Sequence, residues 1–223
     1  METKELNIET CLSKYLIDLI DHDVRAPMKN FAYYLSLFEK KEIDTNRFDL
    51  TELLGIFFSS SSFLMENHIL FQRIMEKRLG NNNRMSKLSQ IANEIRVEFL
   101  HHLFDKQVHL SFNFDKNQLL NTDRDLFKFV FKNVIYTILC YSNKGNAVYI
   151  ELSEDGKYLE LKSIDMFIPN EKMEYMFNLQ EYKNVSGKDI GILLSLHLLQ
   201  ISNGNLFYEQ NDSGESKFKL YFG

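Results

Sequence analysis

The chain has 223 residues, 44% of them hydrophobic, which is enough to build one fairly large core or two small ones and too many for a disordered segment. Lys and Arg number 26 against 31 Asp and Glu, a net charge of −5 with no basic block, and this composition excludes nucleic acid and an anionic membrane surface as expected partners. Cys11 and Cys140 lie in apolar helical patterns without metal-ligand spacing and are expected to be buried free thiols. No apolar run could span a bilayer and Met1–Leu6 has no signal-peptide core, so the expected compartment is the cytoplasm, whether the chain stands alone or is cut from a larger receptor.

Residues 5–41 carry a long amphipathic pattern without glycine, and Leu12, Leu16, Leu19, Phe31, Leu35 and Phe38 fall on one stripe. His22 falls roughly 140° from the middle of that stripe and is expected to face water. Pro27 removes a backbone donor and crowds the preceding turn, so the helix should kink or loosen beside the histidine. An exposed imidazole next to the carboxylate of Asp23 at such a kink suits phosphoryl chemistry. A polar connector, Asp44–Arg47, leads into a second helical pattern from Asp49 to Leu79. Two helices of this length joined by a short turn form an antiparallel hairpin. A hairpin alone has too little facing surface for its Phe and Leu side chains, so a homodimeric four-helix bundle is expected. His68 lies on the apolar stripe of the second helix and is expected to be a core histidine. Ser59–Ser62 reads as tolerated small-residue packing or as a place for a partner to approach closely.

Gly80-Asn81-Asn82-Asn83 favours turn conformations over a continued helix and places the domain boundary, dividing the chain into 1–80 and 84–223. Beyond it the pattern mixes α and β. A helix at 86–104 precedes an alternating strand, Val108–Asn113, and a helix from Asp123 to Tyr141. Strands Ala147–Leu152 and Tyr158–Lys162 flank the hairpin residues Glu154-Asp155-Gly156-Lys157. Helices at 171–177 and 189–202 and strands at 205–210 and 216–222 complete an α+β fold in which helices cover a sheet.

Over nearly its whole length the chain resembles a sensor histidine kinase core, a dimerisation and histidine-phosphotransfer hairpin followed by a Bergerat-type ATPase domain. The segment His22-Asp23-Val24-Arg25-Ala26-Pro27 resembles the family's H-box. The resemblance implies that His22 is the phospho-acceptor and Asp23 its base, and Arg25 could help neutralise a transferring phosphoryl group. Ala26 stands where the family has Thr or Asn to place a dephosphorylating water. Phe131–Ser142 resembles the N-box, with Asn133 matched and Thr137 at the magnesium-holding asparagine. Leu161–Pro169 resembles the segment ending in Asp-x-Gly-x-Gly-Ile-Pro. Ser163 stands at the adenine-reading Asp, Asp165 and Phe167 stand at the two glycines, and a gapped alignment moves Asp165 onto the Asp position. Gly187-Lys188-Asp189-Ile190-Gly191-Ile192 resembles Gly-x-Gly-Leu-Gly-Leu, with Asp189 in place of the middle glycine, and the segment from Phe177 to Gly187 is short for the family's lid.

A carboxylate in a phosphate loop repels a triphosphate. The pocket of Asn133, Thr137, Ser163, Asp165, Gly187 and Gly191 is therefore expected to be degenerate, without ATP, magnesium or other metal, either open or filled by side chains such as Phe167. Gly187 and Gly191 read as turn and helix-packing glycines or as a surviving phosphate site. The expected function is two-component signalling by a cytoplasmic, homodimeric histidine phosphotransfer protein that exchanges a phosphoryl group at His22 with response-regulator receiver domains. The alternatives are an active kinase core with an atypical pocket and a non-enzymatic pseudokinase scaffold.

Overall fold

A computed structural model describes residues 32–33, 36, 55, 62–63, 65–74, 86–120, 122–177 and 189–222. The chain divides into two compact units, Met1–Phe71 and Gln72–Gly223. The described residues from 32 to 74 are all helical, within the two stretches where the sequence predicts long helices. The Gly80–Asn83 linker and the turn between the helices lie outside the described residues, as does the segment from His22 to Pro27.

The second unit is built on two sheets. Strand β1 (Ser86–Lys87) pairs antiparallel with β3 (Leu119–Leu120). The larger sheet has the order β2-β4-β5-β7-β6, formed by β2 (His109–Asn113), β4 (Ala147–Leu152), β5 (Tyr158–Ser163), β6 (Asn205–Gln210) and β7 (Ser216–Tyr221). Only β2 and β4 run parallel, with His109 opposite Ala147, and every other neighbouring pair is antiparallel. Alternation does the rest. Val148, Ile150, Leu159, Leu161, Phe218 and Leu220 are buried, whereas their neighbours Tyr149, Glu151, Glu160, Lys162, Lys217 and Lys219 take the other face.

Helices α1 (Leu88–Glu98), α2 (Leu100–Lys106), α3 (Arg124–Tyr141), α4 (Asn170–Met176) and α5 (Ile190–Ile201) complete the unit. Asp123 caps α3 by accepting the Leu126 N–H at 2.9 Å. Helices α3 and α5 have little polar face because they are central: α5 is buried at every position from Ile190 to Leu199. The predicted helix at 86–104 is corrected at both ends and in the middle. It begins at Leu88, breaks at Phe99 (φ −97°, ψ 8°) and resumes to Lys106. Gln107 closes α2 in the left-handed conformation at φ 53°. Cys140 is partly accessible and is not the fully buried thiol expected.

A charge ladder joins α1 to α3. Glu94 meets Arg124 at 2.5 Å and Lys128 at 3.4 Å, and Glu98 meets Lys128 at 2.5 Å and Lys132 at 3.2 Å. Partial burial pushes the Glu98 carboxyl up, but the Lys128 hydrogen bond and the Lys132 and Lys128 charges outweigh it and hold the group below its ordinary value of 4.5. Burial pushes Lys128 down, and its bond to Glu98 outweighs this and holds the ammonium above 10.5. The Glu98 contribution to stability is complete above its unfolded titration range and is lost as pH falls through the depressed value. The Lys128 contribution is complete below 10.5 and is lost at higher pH. Glu98→Gln is therefore expected to cost about 2 kcal/mol at neutral pH. Urea melts of wild type and variant should converge as pH falls through the depressed Glu98 value, and a constant difference across pH would contradict the ladder.

Candidate functional site

Two polar networks occupy the ground between the end of α3, the loop after β5 and the start of α5. In the first, Asn146 is 2% exposed and its side-chain N–H groups donate to Ser142 Oγ at 2.6 Å and Ser163 Oγ at 2.7 Å. Its Oδ1 accepts the Asp165 backbone N–H at 3.0 Å. Asn143 Nδ2 donates to Asp165 Oδ1 at 2.8 Å, and Ser142 and Met166 form an isolated antiparallel bridge. Ser216 Oγ donates to the Met166 carbonyl at 2.9 Å. The loop after β5 is thus stitched to the end of α3. It continues strand-like alternation, with Met166 and Ile168 in the core and Phe167 59% exposed. Phe167, one candidate for filling the pocket, points to solvent because its two neighbours take the inward positions.

In the second network Asp189, the residue before α5, makes no side-chain cap to its own helix. Its carboxylate is 4% exposed and turns to α3 and α4 instead, accepting the Tyr141 hydroxyl at 2.7 Å and lying 3.5 Å from the Lys172 ammonium. Lys172 also donates to the Tyr141 oxygen at 3.2 Å and lies 5.5 Å from the centre of its ring. Burial, then the hydrogen bond and negative charge of Asp189, push the Tyr141 phenol well above its ordinary range. Burial also raises Tyr136, earlier on the same helix, with Cys140 adding to the effect.

Asn133 and Thr137 are each 1% exposed on α3. The Asn133 Nδ2 donates to the Phe129 carbonyl at 2.9 Å, and its side chain packs directly on Gly191 of α5. A Cβ at Gly191 would fall 2.0 Å from Asn133 Oδ1. Of the residues singled out from the sequence, Asn133 and Gly191 are brought into contact. Ser163 and Asp165 gather around Asn146, and Gly187 lies outside the described residues. Tyr141, Asn146 and Lys172 were not legible as site residues, since each acquires its partner from an element distant in sequence.

No family model matches the chain. Sensor protein VanSC of Enterococcus gallinarum is 24% identical over 206 residues, covering 88% of this chain. The chain spans 57% of the length of that curated relative. Among solved structures, the Acinetobacter baumannii histidine kinase AdeS matches with a TM-score of 0.61 at 15% identity, over 91% of this chain and 97% of its own. The fold is that of a sensor histidine kinase core. A second solved structure, described as a bacterial phosphotransferase, matches with a TM-score of 0.55 at 13% identity over 95% of this chain and 96% of its own. In this histidine kinase fold the α3 and α5 segments are those that resemble the N-box and the glycine box, and they meet at Asn133 and Gly191. Among the described residues no helix is long and apolar enough to cross a membrane.

Proposed function

We propose that this histidine-kinase-like chain is a histidine phosphotransfer protein of a two-component pathway, which receives a phosphoryl group at His22 from the aspartyl phosphate of a receiver domain and passes it to another. The observation that carries this reading is Asp189. At the start of α5, where the likeness calls for a phosphate-cradling glycine, stands a carboxylate held by Tyr141 and Lys172. Such a group repels a triphosphate, and Lys172 beside it is paired with it. Ser163 is 0% exposed and bound to Asn146, and the Asn133 amide rests on Gly191. These residues do not fit a magnesium nucleotide, and no step is assigned to one.

In the transfer, the His22 imidazole attacks the phosphorus of the acyl phosphate, a P–N bond forms and the P–O bond to the aspartate breaks. Asp23 would orient the ring, Arg25 would offset charge on the phosphoryl group, and residues 1–80 would pair with a second copy to present both histidines. The receiver supplies its own Mg²⁺ and acidic pocket. A bacterial phosphotransferase with the same fold supports the compatibility of this architecture with the role. Incubation with phosphorylated receiver domains should place acid-labile phosphate on wild type and none on His22→Ala. If no receiver ever labels His22, the reading fails. A second reading, an autokinase core cut from a larger sensor, is favoured by the likeness to a sensor protein across 88% of the chain.

A further inference from the structure

Away from these networks, the α1–α2 pair carries the most exposed apolar side chains among the described residues of the second unit. Val97, Leu100 and Phe104 are 71%, 62% and 81% exposed. Leu100 and Phe104, at i and i+4, lie roughly 40° apart on one face of α2, and Val97 precedes them at the end of α1. Leu100 and Phe104 also form one wall of a groove of about 740 Å³ whose other wall is the start of β2, from Val108 to Leu110. An apolar stripe beside a concave, half-apolar groove is a recognition surface rather than ordinary scattered exposure.

Three features select the occupant. The groove is flanked by the cations Arg96 and Lys144, and its one lining carboxylate, Asp105, is turned to His101 at 3.2 Å. The edge of β2 is closed to strand addition at Leu110, because Arg96 donates to the Leu110 carbonyl at 3.4 Å and lies 4.6 Å above the Phe112 ring. The three stripe residues expose on the order of 400 Å², about half of the ~800 Å² that each side of a stable interface buries. A second copy of the chain would need a larger face. We infer that the Val97–Leu100–Phe104 face and its groove dock an acidic amphipathic helix of a partner protein, whose apolar stripe packs on Phe104 and Leu100 and whose carboxylates meet Arg96 and Lys144. The contact is side chain to side chain and of transient strength.

The probe is a fluorescein-labelled peptide with leucines at i, i+4 and i+7 flanked by glutamates, titrated with the full chain by fluorescence anisotropy. Saturable binding with Kd of about 10–100 µM is expected, weakened by salt. A peptide with lysines replacing the glutamates should bind at least about tenfold more weakly, as should Phe104→Glu with the acidic peptide. Phe104 is 81% exposed, so the far-ultraviolet spectrum of that variant should match wild type, and Val97→Glu provides a second, separately folded test. No binding, equal binding of both peptides, or undiminished binding by both variants overturns the inference. A change in sedimentation of the chain caused by Phe104→Glu would assign the face to a second copy and overturn it as well.

Discussion

Gly191→Ala is expected to lower stability by about 2–3 kcal/mol. The new methyl would fall 2.0 Å from Asn133 Oδ1 and 2.7 Å from Cγ, well inside van der Waals contact. Asn133 has little freedom to yield, since it is 1% exposed and its Nδ2 is bonded to the Phe129 carbonyl. Either that bond breaks or α3 and α5 move apart. The measurement is a urea melt, with a lower midpoint at unchanged slope. Asn133→Ala in the same chain should recover part of the loss, because the truncated side chain leaves room for the methyl. A neutral Gly191→Ala would contradict the close packing of α3 on α5.

Asp189→Ala tests the other network. It removes the acceptor of the Tyr141 hydroxyl and the counter-charge of Lys172 together, at an expected cost of about 2 kcal/mol. Asp189→Asn keeps an acceptor and should cost less. The second readout is the phenol. Burial raises Tyr141 first, and Asp189 raises it further, so without Asp189 the ring should ionise at lower pH, observable in the ultraviolet phenolate band. A raised phenol pKa contributes stability that is complete below the unfolded value near 10.0 and is lost as pH rises beyond it. Wild type should therefore lose more stability above pH 10 than Asp189→Ala. Equal alkaline profiles would show that the Tyr141–Asp189 bond does not form.

The large elements were legible because their causes are local. Asp123 announces the start of α3, the Asp155-Gly156 turn announces the β4–β5 hairpin, and the alternation of Ala147–Leu152 announces a strand with one wet face. The short strands β1 and β3 were missed because two residues carry no period and acquire their identity only from pairing Ser86 with Leu120. The break at Phe99 is not legible either, since the sequence around it has no Gly, Pro or capping residue to stop a helix.

The candidate site shows the same division. That Asp189 stands where a glycine would is visible in the sequence. That Lys172 and Tyr141 hold it is not, because the three residues come from separate elements. Ser163 was legible as a departure from the family pattern, and its attachment to Asn146 explains how a small hydroxyl is accommodated there with no exposure at all. His22, Asp23 and Arg25 lie outside the described residues, so their roles rest on the H-box likeness and the labelling experiment.

The most direct test of the proposal that phosphate reaches His22 from another protein is a calorimetric titration of the full chain with magnesium ATP. The account predicts no saturable heat, because Asp189, bound to Tyr141 and Lys172, stands at the start of α5 where the family likeness calls for a glycine. Saturable binding at micromolar to millimolar nucleotide would contradict it and favour the autokinase reading.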